Sequence, residues 1–472
     1  MVRLSATVAT VLVLVQAAVC SAAATPSRLS FEWSVPDNLR DPNVGVARDA
    51  AGATVAPTMV RLLVLAGGAC GNLQWEVDGH AAHPTPEGGC TFDLDLGDHG
   101  QHEITLRHGD ASFSDKVSAT DFLVVSIGDS VASGEGNPSS PNPVVPDWLE
   151  PRCHRSLRSG AAEAALALER ADRHSEISLL ALACSGATVT TGLLGPYAGI
   201  QPDARLGDLP AQMKVVSALQ PHQIDALLVS VGANDVNFGS LVEFCLRFDR
   251  CPSQPFDPRA PLHLGKPPAQ SAAAVEKAAL ARLPAEYDTL AAALDQAKVD
   301  PKRVIIVEYF DPLRDATGSP CGHALIGIDQ TEAAWAEANV LAPLNAEVRA
   351  AAERHGWRVV TGVADAFATH GICVAGDGRW IRGPVESLGR GAWISGTLHP
   401  NGRGHRATAA LIEPVLANTL GVADEIGSGE VAGTSDDEGW RLSGWWVVAA
   451  AVAGLGVGFG VGFLVLRSRA GR

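Results

Sequence analysis

Residues 122–138 read FLVVSIGDSVASGEGNP, an apolar run rich in β-branched residues that stops at Gly128-Asp129-Ser130. A run of this length bounded by small, turn-forming residues predicts a buried strand that ends in a loop. Ser130 is not the serine of a nucleophile elbow, because that motif needs glycine two positions on and the chain has Ala132 there. Serine chemistry at this position therefore belongs to another scaffold, and Gly-Asp-Ser by itself also fits a serine capping a helix N-terminus.

Three later segments change the weight of that serine. Ala183-Cys184-Ser185-Gly186-Ala187-Thr188 follows a second strand-like run, Val231-Gly232-Ala233-Asn234-Asp235 follows a third, and Leu398-His399-Pro400 lies near the C-terminal end. Three of the four blocks fall just past apolar strands, the edge at which open α/β sheets place their sites. In this order they resemble the SGNH, or GDSL, hydrolase family, and the SGEGN, CHRS and ACSGAT segments are most similar to its secreted actinobacterial lipase and esterase branch. The resemblance covers roughly residues 121–420. It implies an α/β fold, a flavodoxin-like three-layer sandwich, and a carboxylic ester hydrolase.

The residue types suit that chemistry. A serine hydroxyl becomes nucleophilic when a base takes its proton, and histidine titrates in the range where that works at neutral pH. The resemblance assigns the pair to Ser130 and His399. It assigns the donors of an oxyanion hole, which must already face the carbonyl oxygen when charge develops there, to the backbone N–H of Ser130, the backbone N–H of Gly186 and the side-chain amide of Asn234. Taken separately, Asn-Asp after a strand also reads as turn chemistry, and His-Pro as surface loop. The chain departs from the family at one point: the aspartate of D-x-x-H is replaced by Gly396. Some members of the branch use a backbone carbonyl there, which predicts a Ser-His dyad with the Gly396 carbonyl orienting the imidazole. A neutral acceptor can fix which ring nitrogen carries the proton. A carboxylate from Asp365 or Asp377 is the rival reading.

The formal charge of −16 over 472 residues speaks against nucleic acid and against electrostatic docking on anionic lipid. With 46% hydrophobic and 19% charged residues the chain can build a sizeable core. Arg3, the apolar run 6–19 and Ala22-Ala23-Ala24 read as a secretory signal peptide over residues 1–24. Residues 445–466 are uncharged and long enough as a helix to cross a bilayer. Trp445 and Trp446 stand where an interfacial belt belongs, and Arg467, Arg469 and Arg472 in the tail 467–472 orient that tail to the cytoplasm. The expectation is an exported protein, anchored in the cell membrane with its catalytic part outside. Its substrate is expected to be a small-molecule or lipid ester, without cofactor, metal or nucleic acid. A carbohydrate O-acetyl esterase, an envelope acyltransferase and an inert adhesion protein are the alternatives.

Nine cysteines become an even set once Cys20 leaves with the leader, and outside the cytosol that favours disulfides. Sequence proximity and the family's habit imply Cys70–Cys90, Cys153–Cys184, Cys245–Cys251 and Cys321–Cys373. Short β-like runs at 29–35, 59–65, 73–77, 90–96 and 102–107, separated by Gly, Pro and Asp, predict a β-sandwich-like accessory domain over 26–120. Residues 121–420 then alternate strand and helix patterns, which predicts a parallel sheet. The segment 251–268 is a Pro-rich insertion that reads as substrate rim, lid or plain surface loop. A helix over 271–298 is predicted to break at Pro284. His370 is assigned a structural role, and 421–439 an acidic flexible stalk.

Overall fold

The structure is a computed structural model that describes residues 29–35, 59–65, 70–98, 100–139, 147–219, 223–259, 269–323, 327–389 and 394–422. The signal peptide over 1–24, nearly all of the stalk over 421–439 and the membrane span over 445–466 lie outside the described residues. Among the described residues no helix is long and apolar enough to cross a membrane.

The first part is antiparallel. Strands β1 (Ser30–Ser34), β2 (Met59–Leu65), β3 (Gln74–Val77), β4 (His80–Ala82), β5 (Thr85–Gly88), β6 (Thr91–Asp95), β7 (Gln101–His108) and β8 (Ala111–Ser118) form two four-stranded sheets, ordered β1-β2-β6-β5 and β4-β3-β7-β8. Alternation drives the pairing: Val60, Leu62 and Val64 point inward from β2 while Arg61, Leu63 and Leu65 face outward. The inward residues of both sheets form one core, in which the Phe31 ring packs on Trp75 at 5.7 Å. β8 escapes the sequence pattern because only Phe113 and Val117 of its eight residues carry apolar bulk inward.

One residue after β8 the chain enters β9 (Thr120–Gly128), an interior strand of a five-stranded parallel sheet. With β10 (Ser175–Ala181), β11 (Ala226–Ser230), β12 (Val304–Val307) and β13 (Arg358–Val360) the order is β10-β9-β11-β12-β13. Numbered within the sheet this is 2-1-3-4-5, the flavodoxin-like arrangement, and its order reverses at β9. β10, β11 and β12 are almost wholly buried, as strands covered on both faces must be.

The helices are α1 (Ser130–Ser133), α2 (Gly160–Ala171), α3 (Gln212–Ala218), α4 (Phe238–Cys245), α5 (Ala272–Gln296), α6 (Gln330–Ala336), α7 (Ala342–His355), α8 (Val363–Phe367), α9 (Pro384–Gly389) and α10 (Gly402–Leu420). α2 packs on α10, and α5 on α7. α5 does not break at Pro284. Leu283, Tyr287, Leu290 and Leu294 form a fully buried stripe through that point, and their burial outweighs the single backbone bond that proline removes. Of the insertion 251–268 the described part is a short turn, Cys251–Ser253, with Phe256 buried against Phe244; residues 260–268 lie outside the described residues.

The sandwich meets the parallel sheet at the strands' N-terminal end. The Val35 N–H donates to the Arg173 carbonyl (2.7 Å) and Trp33 stacks on His174 at 4.1 Å, both partners lying in the turn that leads into β10. The loops that carry the four motif blocks leave from the opposite end.

Candidate active site

Gly128 ends β9 at φ 140°, and a Cβ there would run into the backbone carbonyl of Ser230 on β11. Only glycine lets the two strand ends close this tightly. The Gln212 amide then clamps Gly128 from both sides, its Oε1 accepting the N–H (2.8 Å) and its Nε2 donating to the carbonyl (2.9 Å). Asp129, not Ser130, caps α1: its Oδ1 accepts the Val131 N–H at 3.0 Å, while the Tyr309 hydroxyl donates to Oδ2 at 2.6 Å. Ser130 is thereby the first helical residue and its hydroxyl is left for another partner.

That partner is His399. Its Nε2 lies 2.7 Å from the Ser130 Oγ, across 269 residues of chain. Two features place the ring. Asn401 caps α10 by accepting the N–H groups of Arg403 and Gly404, which fixes the chain two residues beyond the histidine. Leu398, just before it, holds a left-handed backbone at φ 64° and donates its N–H to the Arg382 carbonyl (3.0 Å). A β-carbon residue in that region is strained, and such strain persists where the surrounding structure dictates it.

The imidazole's other nitrogen departs from expectation. Nδ1 meets the Thr397 carbonyl at 3.3 Å, whereas the Gly396 carbonyl accepts the backbone N–H of His399 at 3.1 Å. The turn closing on itself uses the Gly396 oxygen, so the imidazole turns to the backbone on either side of it, Thr397 and Ser395. Neither rival carboxylate reaches the ring: Asp365 is exposed on α8, and Asp377 is exposed beside Arg403. Removal from water holds the His399 pKa below its ordinary value, opposed first by the negative charge of Glu135. A depressed pKa leaves the ring as free base at neutral pH, the state that accepts a proton.

The other two predicted donors sit on neighbouring loops. Gly186 has φ 84°, and a Cβ there would strike the Tyr197 hydroxyl. The Asn234 side-chain amide donates to the carbonyl of Ala187, the residue after Gly186, at 3.0 Å, leaving its second N–H for a ligand. Asp235 ties the same loops again, accepting the Val189 N–H at 3.0 Å. The Cys184 N–H donates to the Gly128 carbonyl at 3.0 Å, which joins the second block to the first.

The structure forms the four disulfides Cys70–Cys90, Cys153–Cys184, Cys245–Cys251 and Cys321–Cys373. Cys153–Cys184 binds the CHRS and ACSGAT segments together behind the site. His370 stacks on Trp380 at 3.7 Å and its Nδ1 faces the Gly378 carbonyl at 2.6 Å, a packing role.

Sequence reading missed several groups around the pair. Glu135 and His154 lie within the segments that carry the resemblance, yet nothing in the spacing pairs them. They meet at 2.7 Å, both fully buried, with Trp148 stacked on the imidazole at 4.8 Å. Gln212 and Tyr309 carry no local signal, because each serves a backbone or side-chain atom more than 80 residues away.

A family model described as GDSL-like lipase/acylhydrolase matches residues 126–407, more than half of the chain. The chain belongs to this family. It is an ester hydrolase, and the matched span of this GDSL-like hydrolase runs from β9 into α10, taking in all four motif blocks. No curated protein sequence matches it. Among solved structures it is similar to a phospholipase A1 from Streptomyces albidoflavus NA297, at 19% identity over 63% of this chain and 99% of that one, with TM-score 0.38. It is also similar to a salicylyl-acyltransferase from a tetracycline biosynthetic pathway (13%, 84% and 81%, TM-score 0.31). A carbohydrate acetylesterase from Xanthomonas citri is a third (10%, 82% and 75%, TM-score 0.30).

Proposed function

We propose that this GDSL-like hydrolase is a membrane-tethered, extracellular serine esterase of the lipase type that cleaves carboxylic esters through an acyl-enzyme formed on a Ser-His dyad. The observation that carries the chemistry is the 2.7 Å approach of His399 Nε2 to Ser130 Oγ, with a backbone carbonyl rather than a carboxylate on Nδ1. Tethering and export rest on the sequence of residues 1–24 and 445–472.

In the proposed reaction His399 removes the Ser130 proton as Oγ attacks the ester carbonyl. The resulting oxyanion is met by the N–H groups of Ser130 and Gly186 and by the free N–H of the Asn234 amide. Losing one such donor costs about 10²–10³ in rate. The imidazolium returns the proton to the leaving alkoxide, and water then repeats the sequence on the acyl-enzyme. The Thr397 carbonyl keeps the Nδ1 proton in place through both halves, the part of an acid's role that a neutral acceptor can fill.

The test is hydrolysis of p-nitrophenyl esters from acetyl to palmitoyl, beside labelling by a fluorophosphonate probe. Labelling that disappears in Ser130→Ala, with turnover on medium or long acyl chains, supports the reading. Absence of label on folded wild-type protein points to an inert binding protein, and a steep preference for acetyl to a carbohydrate O-acetyl esterase.

A further inference from the structure

We propose that the buried carboxylate of Glu135 is the electrostatic partner of the His399 imidazole, acting through Ser395 in place of the aspartate that Gly396 displaces. The inference rests on the dyad reading above and deepens it. Glu135 is a positioning residue, since nothing in the structure brings it against the reacting atoms.

Glu135 is bonded to Ser130 and to the turn that carries His399. Its backbone N–H donates to the Ser130 carbonyl at 3.0 Å. Its side-chain Oε1 accepts from the Ser395 hydroxyl at 3.2 Å, on the turn that presents Thr397 and His399. Oε2 accepts from the Ser185 hydroxyl and faces His154 Nδ1, both at 2.7 Å. Its own carbonyl faces His405 Nε2 on α10 at 3.1 Å. One side chain thus gathers the serine turn, the CHRS loop, the ACSGAT loop and the histidine turn.

Hydrogen bonding alone would not call for a charge here. An ionised carboxylate is costly to bury unless it is well paired, and a neutral side chain could still accept from one of the two hydroxyls, Ser395 on Oε1 or Ser185 on Oε2. Burial does push the Glu135 pKa upward, but the bond from His154, electrostatic interaction with the His154 and His399 rings and the bond from Ser185 outweigh it and hold the carboxyl below its ordinary value. A fixed negative charge therefore stands behind an imidazole whose direct partner is a neutral carbonyl at 3.3 Å. When His399 takes the Ser130 proton, that charge favours the imidazolium.

Other titratable and charged groups border the same space. Asp129, on the turn of Ser130, is pushed up to about 7 by burial. His405 on α10 is pushed down to about 4 by burial and so remains neutral. Arg382 donates to the Gly136 carbonyl at 2.7 Å, and Arg155 donates to the carbonyls of Leu182 and Ala183. Of these acids only Glu135 bonds to the histidine turn.

The experiment measures kcat, KM and the pH profile of kcat/KM on p-nitrophenyl butyrate for the full chain and for Glu135→Gln, Glu135→Asp and Ser395→Ala, with thermal melts and fluorophosphonate labelling alongside. Glu135→Gln should lower kcat by about tenfold to a hundredfold with KM little changed, and should move the acid limb of the profile about one pH unit lower as His399 loses its anion. Glu135→Asp should keep the limb in place, and Ser395→Ala should lose several-fold in kcat with a smaller shift in the same direction. A folded Glu135→Gln protein with the wild-type limb overturns the proposal, whether its kcat falls or holds. If Glu135→Gln does not fold, Ser395→Ala decides, and wild-type kcat and limb in that variant overturn it. Wild-type protein that neither turns over the ester nor takes the label would instead defeat the dyad reading itself.

Discussion

Gly136 packs its bare Cα against His399, so that a Cβ built on the glycine would stand 3.1 Å from the Cβ of the histidine and 2.7 Å from the Pro400 carbonyl oxygen. The glycine also holds φ 85°, outside the range that side-chain-bearing residues favour. Gly136→Ala should therefore cost about 1–3 kcal/mol of stability. It should also lower kcat at least about tenfold, because the methyl must push the imidazole away from Ser130 and misplacement of that kind is costly in rate. A thermal melt and p-nitrophenyl ester kinetics on the same preparation separate the two effects, and a variant with unchanged kcat would show that the histidine turn tolerates displacement.

The absence of a carboxylate on His399 Nδ1 leads to a second prediction. Asp365→Asn and Asp377→Asn should each leave kcat/KM within about twofold of wild type, the ordinary result for exposed positions away from a special interaction. Near-complete loss of activity in either one, with the protein still folded, would mean that a rearrangement brings that carboxylate to the imidazole.

These outcomes bear on what the sequence could reveal. The strand-ending blocks are legible because buried parallel strands print as continuous apolar runs, and because a serine, a glycine, an asparagine and a histidine seldom fall in that order by chance. The acceptor on His399 is Thr397, one residue beyond the expected Gly396. Sequence offers no sign that a left-handed Leu398 will turn the chain so that the Gly396 oxygen closes on the backbone N–H of His399. Pro284 reads as a helix break as long as local propensity is weighed without the buried stripe that carries α5 through it. Glu135 and His154 show the same limit for charge, since a buried pair between two loops has no periodicity to reveal it.

Stability should fall as the pH rises from about 5 to 8. Burial raises the pKa values of Asp129 to about 7, Asp235 and Glu276 to about 8 and Glu176 to about 9. In the unfolded chain these groups titrate near 4. Between the two values the folded state holds more protons than the unfolded one, so each raised carboxyl contributes stability that is complete at low pH and lost as the pH climbs toward its folded value. Glu135 has the opposite sign, but its effect lies below this range; His399, His405 and His323, whose pKa values burial lowers, oppose the trend only up to about pH 6.5 and are fewer than the four carboxyls. Melting temperatures across this range should decline. Glu276→Gln, which keeps an acceptor for Asn237, should flatten the decline and gain about 1 kcal/mol or more at pH 8. A melting temperature that rises steadily over the interval would contradict the assignment.

The Cys153–Cys184 bridge should matter for rate as well as for stability. It closes 31 residues of chain, a loop whose constraint in the unfolded state is worth about 3–4 kcal/mol. Locally it anchors the start of the Gly186 loop: the Cys153 carbonyl accepts the Ser185 N–H at 3.0 Å, and Arg155 spans the same gap to the carbonyls of Leu182 and Ala183. Without the bridge the Gly186 N–H loses the support that holds it at a fixed place, and a donor that must be ordered during the reaction stabilises the transition state less than one already in position. The paired change Cys153→Ala with Cys184→Ala should thus lower the melting temperature and reduce kcat more than it raises KM. The matched pair Cys70→Ala with Cys90→Ala removes a bridge of the sandwich, which meets the parallel sheet at the end away from Ser130, and it should lower the melting temperature with kcat unchanged. Equal losses of kcat in the two pairs would mean that the sandwich supports the site directly.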